Sequence, residues 1–130
     1  MIIVDDKLSL EALAGRLGTN DVVATTWAFH FRLLRALEDQ TRLGRLTRGS
    51  TAQLPRAAAE PPEAILQVLD PRVITAEAAD LAARQGLNLI AAELVASAVH
   101  YGATVHLSRP NVGRRWPEVM AAEGVTLRIV

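Results

Sequence analysis

Asp5 and Asp6 stand side by side directly after the β-branched run Ile2-Ile3-Val4. Two carboxylates at the carboxyl end of a buried strand can hold a divalent cation or divide general acid and base roles. A second polar group follows the apolar run Ala103 to Leu107, where Ser108, Arg109 and Asn111 supply a hydroxyl, a guanidinium and an amide. Open α/β sheets bind their ligands at the carboxyl ends of strands, so both groups fall where a site belongs. His30, His100 and His106 are the side chains that titrate near neutral pH. They match no metal-ligand spacing and read as ordinary surface or core histidines. Convergence of His30 and His106 on Asp5 would make metal-independent acid and base chemistry arguable.

The elements that must position these groups are organised around Leu87 to Asn111. From Leu87 to Val99 the chain is Ala-rich and apolar, with Glu93, Ser97 and His100 recurring as one polar stripe, which predicts an amphipathic helix. Gly102 ends it, and Ala103 to Leu107 reads as a central strand that runs straight into Ser108. Met1 to Val4 reads as a strand, and Ser9 as the cap of a short helix through Leu10, Leu13 and Leu17. Val22 to Ala24 follows as a second strand. Thr25 or Thr26 then opens a helix on which Trp27, Phe31 and Leu34 share a core face beside Leu33 and Leu37.

Between Arg32 and Arg56 six Arg face two acids, Glu38 and Asp39, and residues 42–62 read as a basic, loop-like segment. A solvated loop is its plain reading; Arg42, Arg45 and Arg48 could instead follow one helix face toward an RNA backbone. Short helices are expected over Glu63 to Leu69 and Trp116 to Glu123. A longer one is expected over Ala76 to Gln85, capped by Thr75 and closed by Gly86, with a brief strand at Val73 and Ile74 before it. Val125 to Val130 alternates as a terminal strand. This order predicts a three-layer α/β fold, a central mainly parallel sheet of four to five strands flanked by helices, in one domain over residues 1–130.

Composition narrows the function classes. At 130 residues the chain can bury about two-thirds of its unfolded surface without a disulfide or metal. Half of it is hydrophobic and 4% aromatic, so the core must be built from Ala, Val, Leu and Ile. Formal net charge is zero, which removes any global electrostatic argument for nucleic acid, yet the basic residues are Arg apart from Lys7. The absence of cysteine excludes disulfides, thiolate metal sites and cysteine nucleophiles. With acids in place of a basic signal region and no long apolar run, a cytoplasmic protein with no membrane association is expected.

The order of elements resembles the PIN-domain family, which includes the VapC-type ribonuclease toxins of bacterial toxin-antitoxin pairs. Ile2 to Asp6 and the carboxyl half VITAEAADLAARQGLNLIAAELVASAVHYGATVHLSR carry the resemblance. PIN nucleases place four acids around a cleft to hold magnesium or manganese, which activates water against a phosphodiester. Residue by residue, the first acid matches Asp5, the second falls on Arg32, the third on Ala91 and the fourth near Arg109 or Asn111. Glu93 is rotated by about 200° from position 91 and is a poor substitute, while Asn88 lies near the right face as a neutral amide.

The resemblance therefore implies a degenerate PIN-like domain. Asp5 and Asp6 are its candidate catalytic acids, and Asp5 is the candidate ligand of a magnesium or manganese ion if the PIN chemistry is kept. Arg32, Asn88, Ser108, Arg109 and Asn111 would line a cleft whose preference has moved from cations to anions such as phosphate. RNA, a small antitoxin-like protein and a second copy of the chain are the partners it implies. The competing class is a non-catalytic interaction or dimerisation protein that keeps the fold and works through the surface around Trp27 and Phe31, or through the Ala-rich central helix.

Overall fold

Alternation along three short strands sorts the core into two faces. In β1 (Ile2–Val4), Ile3 points to one face with Ala24, Val105 and Leu107, while Ile2 and Val4 point to the other with Val23. The computed structural model describes residues 1–44 and 54–130, and sets β1 between β2 (Val23–Thr25) and β4 (Thr104–Leu107). β3 (Gln67–Val68) and β5 (Leu127–Ile129) are the edges, so the five strands are all parallel in the order β3-β2-β1-β4-β5.

α1 (Asp6–Leu13) covers the Ile2 and Val4 face through Leu8 and Ala12. The opposite face is covered by α4 (Thr75–Gln85), α5 (Leu89–Tyr101) and α6 (Trp116–Ala122), joined by Phe29 of α2 (Trp27–Arg42). Farther along α2, Leu33 and Leu37 pack on Ala58 of α3 (Leu54–Ala59). This is the α/β architecture that the order of elements predicts, with helices on both faces because a parallel sheet must bury both. Among the described residues no helix is long and apolar enough to cross a membrane.

The topology also locates a crevice. β2 and β3 extend the sheet to one side of β1, and β4 and β5 to the other. The carboxyl ends of β1 and β4 are thus the point where the winding reverses, the usual ligand position in open α/β sheets.

Several elements differ from the sequence reading. Asp5, not Ser9, caps α1; Ser9 is inside the helix, buried, with its Oγ unpartnered. The expected helix over Glu63 to Leu69 is a turn followed by β3, because Leu66 is drawn into the core and Gln67–Val68 pairs with β2. Val73 lies in a 3-10 turn, Pro71–Val73, capped by Asp70, rather than in a strand. Thr75 begins α4 but does not cap it, since its hydroxyl donates to the Pro71 carbonyl at 2.6 Å. Part of the basic segment is helical, as α3, and Arg42 pairs with Glu38 at 3.1 Å. Arg45 and Arg48 lie outside the described residues.

α5 is buried without interruption from Ala91 to Ala98. Its small side chains allow close approach on several sides, and this overturns the water-facing stripe: Glu93 and Ser97 are buried, and His100 alone of the three is exposed. Trp27 and Phe31 depart in the other direction. Expected in the core, they are exposed, because α2 turns Phe29, Leu33 and Leu37 inward instead.

The connection from β4 to α6 contains one close approach. A Cβ on Gly113 would run into the indole of Trp116, which packs against the main core. Gly113→Ala should lower stability by about 1–3 kcal/mol, the usual range for overpacking. The shift would appear in the urea midpoint with an unchanged slope, and a midpoint equal to wild type would show that the indole relaxes freely.

Candidate functional site

Asp5 leaves β1 in extended conformation and is fully buried at the crevice. Its Oδ1 accepts the Leu8 amide at 2.9 Å, satisfying one of the open donors of α1. Its Oδ2 accepts the Ser108 amide at 2.7 Å, the Ser108 hydroxyl, and Asn111 Nδ2 at 2.9 Å. Ser108 follows β4 directly, so parallel pairing of β1 with β4 brings these groups together across more than a hundred residues of chain. Four donors thus engage Asp5, one on Oδ1 and three on Oδ2, and both oxygens are held by the protein itself.

Asp6 occupies the first turn of α1, where the helix dipole favours a negative charge. Its Oδ1 accepts Asn111 Nδ2 at 2.7 Å, and its Oδ2 lies 3.7 Å from Arg32 Nε. Arg32 reaches in from the second turn of α2, donates from Nη2 to Asn111 Oδ1 at 3.3 Å, and rests over the Phe29 ring at 5.6 Å. Asn111 sits at the end of the turn Arg109–Asn111, with its amide joining both acids to the guanidinium. One continuous network thus contains Asp5, Asp6, Arg32, Ser108 and Asn111.

Two of the expected cleft residues are elsewhere in their contacts. Asn88 caps α5, its Oδ1 accepting the Ala91 amide at 2.9 Å. Arg109 is exposed, held by its backbone amide to the Val130 carbonyl at 3.3 Å, and among the described residues it forms no ion pair. It stands at the rim of the crevice as a cation available to solvent. The histidines do not join the Asp5 network: His30 borders a cavity with Leu66, Asp70 and Tyr101, His100 meets the Tyr101 ring edge-on, and His106 has Arg128 and Asp21 as its charged neighbours.

The donor set does not fit a divalent ion. Among the described residues no three acids or histidines gather as ligands, both oxygens of Asp5 already accept hydrogen bonds, and a guanidinium stands beside Asp6. What the carboxyl ends of β1 and β4 offer is a partly exposed Arg32 on the polar network, with the exposed Arg109 following Ser108 in the chain. That arrangement can hold a phosphate oxygen.

Two histidines make stability depend on pH. Burial lowers the pKa of His30, whose Nδ1 is sealed and unpartnered, and burial followed by the Arg128 charge lowers that of His106 against a smaller opposing effect of Asp21. In the unfolded chain both take up a proton near the ordinary imidazole value of about 6.5, whereas the folded chain resists it. Their contribution is therefore complete above that value and is lost progressively as pH falls below it, because the unfolded state binds more protons. The urea midpoint should be lower at about pH 5.5 than at about pH 7.5, and His30→Gln should remove part of the difference. A midpoint that rises on acidification would contradict this assignment.

Neither a family model nor a curated protein matches the chain.

Proposed function

We propose that the chain is a degenerate PIN-like domain of an RNA-linked, toxin-antitoxin type module, which engages RNA phosphates without metal-dependent hydrolysis. The observation that carries this reading is Arg32. It stands where the PIN pattern asks for an acid, and it lies beside Asp6 and Asn111 at the reversal point of the sheet. An added cation next to acids already engaged by Asn111 favours an anion over a metal ion at this point. Cytoplasmic residence is in keeping with a cysteine-free chain.

The test is binding and cleavage of a structured RNA panel by the purified chain, in magnesium, in manganese and in chelator. RNA should bind without cleavage, with affinity that falls as salt rises. Arg109→Ala should weaken binding across all sequences and flatten the salt dependence by about one phosphate contact, as expected for a backbone contact. Metal-dependent cleavage would overturn the reading. A competing interaction or dimerisation role is favoured by the exposed Trp27 and Phe31, 48% and 53% accessible and stacked at 5.8 Å. Absence of RNA binding, with a molecular mass that halves on Trp27→Ser, would select that alternative.

A further inference from the structure

Beside the amino end of α2, a cavity of about 400 Å³ takes no part in the Asp5 network. Ile74, Ala78, Ala82 and Ala92 wall it, and the exposed Trp27 and Leu89 form its lip. Of its ten lining residues only Glu93 ionises. This side chain is 4% exposed, on the helix most deeply placed in the fold. Its Oε1 accepts the Ala28 amide at 2.9 Å, so one oxygen caps α2, where the helix dipole favours a negative charge. Among the described residues no donor reaches the second oxygen, which is not sealed and keeps some contact with solvent.

A largely buried carboxylate that lines a cavity and has one oxygen without a protein donor can take a donor from a ligand, and an apolar wall favours hydrocarbon. The indole of Trp27 at the lip adds a surface that attracts cations. We infer that this cavity binds a small aliphatic amine as its alkylammonium ion, the methylenes against the alanines and the ammonium on Glu93. The volume lies within the usual range of small-ligand pockets, about 300–1,000 Å³. Arg72, next in the chain to the lining Pro71, does not neutralise the carboxylate, since its guanidinium is turned onto Asp70 at 2.7 Å. A neutral alcohol would leave the carboxylate without a charged partner, and a fatty acid would be repelled by it.

The inference is independent of RNA binding and is tested on the intact chain by calorimetric titration with hexylamine, hexan-1-ol and hexanoate, and by following the Trp27 indole NH resonance. Hexylamine should bind saturably and shift that resonance, with hexanol weaker by about tenfold or more and hexanoate weaker still. Glu93→Gln keeps an oxygen for the Ala28 amide and should weaken hexylamine by a similar factor while leaving hexanol unchanged. Ala79→Phe, at an exposed position on the cavity wall, should block hexylamine and decides the matter should Glu93→Gln fail to fold. Equal binding of alcohol and amine, wild-type amine affinity in either folded variant, or no saturable binding of the amine would each overturn the assignment.

Discussion

Asp5→Ala should cost about 3–7 kcal/mol of folding stability, a large share of a domain whose total is about 5–15 kcal/mol. The cap on α1 accounts for about 1 kcal/mol of this, as the Leu8 amide loses its acceptor. The larger part comes from the Ser108 amide and the Asn111 side chain, which lose a common acceptor in a buried or half-buried setting at about 1–3 kcal/mol each. Asp5→Asn should be destabilised as well, because its amide NH2 must face either the Leu8 donor or the donors from Ser108 and Asn111. Urea unfolding of both variants checks this, and an Asp5→Ala midpoint within experimental error of wild type would show the network to be incidental. It follows that lost activity in Asp5→Ala would report folding rather than chemistry. Arg32 and Arg109, which cap nothing, are the informative positions for function.

The network was legible in the sequence to the extent that it depends on strand ends. Acids after Ile2-Ile3-Val4 and polar residues after Thr104–Leu107 must meet once the two strands pair side by side, and Asp5, Asp6, Ser108 and Asn111 do so. Arg32 entered through the PIN alignment, and no periodicity would have singled it out. Asn88 sits three residues before Ala91, which is the spacing of an N-cap with its N3 amide, so a local signal for its actual role was present.

The misplaced residues share a physical cause. α2 carries two apolar stripes, Trp27 with Phe31 and Phe29 with Leu33 and Leu37, and one helix face can be buried against the sheet and α3. Sequence alone does not rank them. Glu93 and Ser97 look like a solvent stripe because helical spacing is all that a sequence displays, whereas the Ala28 amide that donates to Glu93 lies 65 residues away in the chain. β3, two residues long, exists through its pairing with β2 and has too few positions to show alternation.

Arg32→Glu should reverse the charge preference of the cleft. In the native chain the guanidinium lies 3.7 Å from Asp6 and donates to Asn111, so it both neutralises an acid and holds the amide that bridges the two carboxylates. Glutamate removes those contacts and places a third carboxylate beside Asp6. Partial exposure of the position lets solvent screen much of the repulsion, leaving a loss of about 1–3 kcal/mol in chelator. RNA affinity should fall by about tenfold or more, because the remaining charges oppose phosphate. Manganese should now stabilise the variant by about 2–3 kcal/mol when present at a hundredfold excess over its dissociation constant, whereas wild type should respond weakly. Arg32→Gln separates the two effects: it loses the cation without adding an anion, so RNA binding weakens and the manganese response stays as weak as in wild type. Wild-type RNA affinity in both variants would remove Arg32 from the binding surface. A wild-type protein stabilised by manganese as strongly as Arg32→Glu would mean that the native acids are available to a cation despite their hydrogen bonds, and the anion-holding cleft would have to be abandoned.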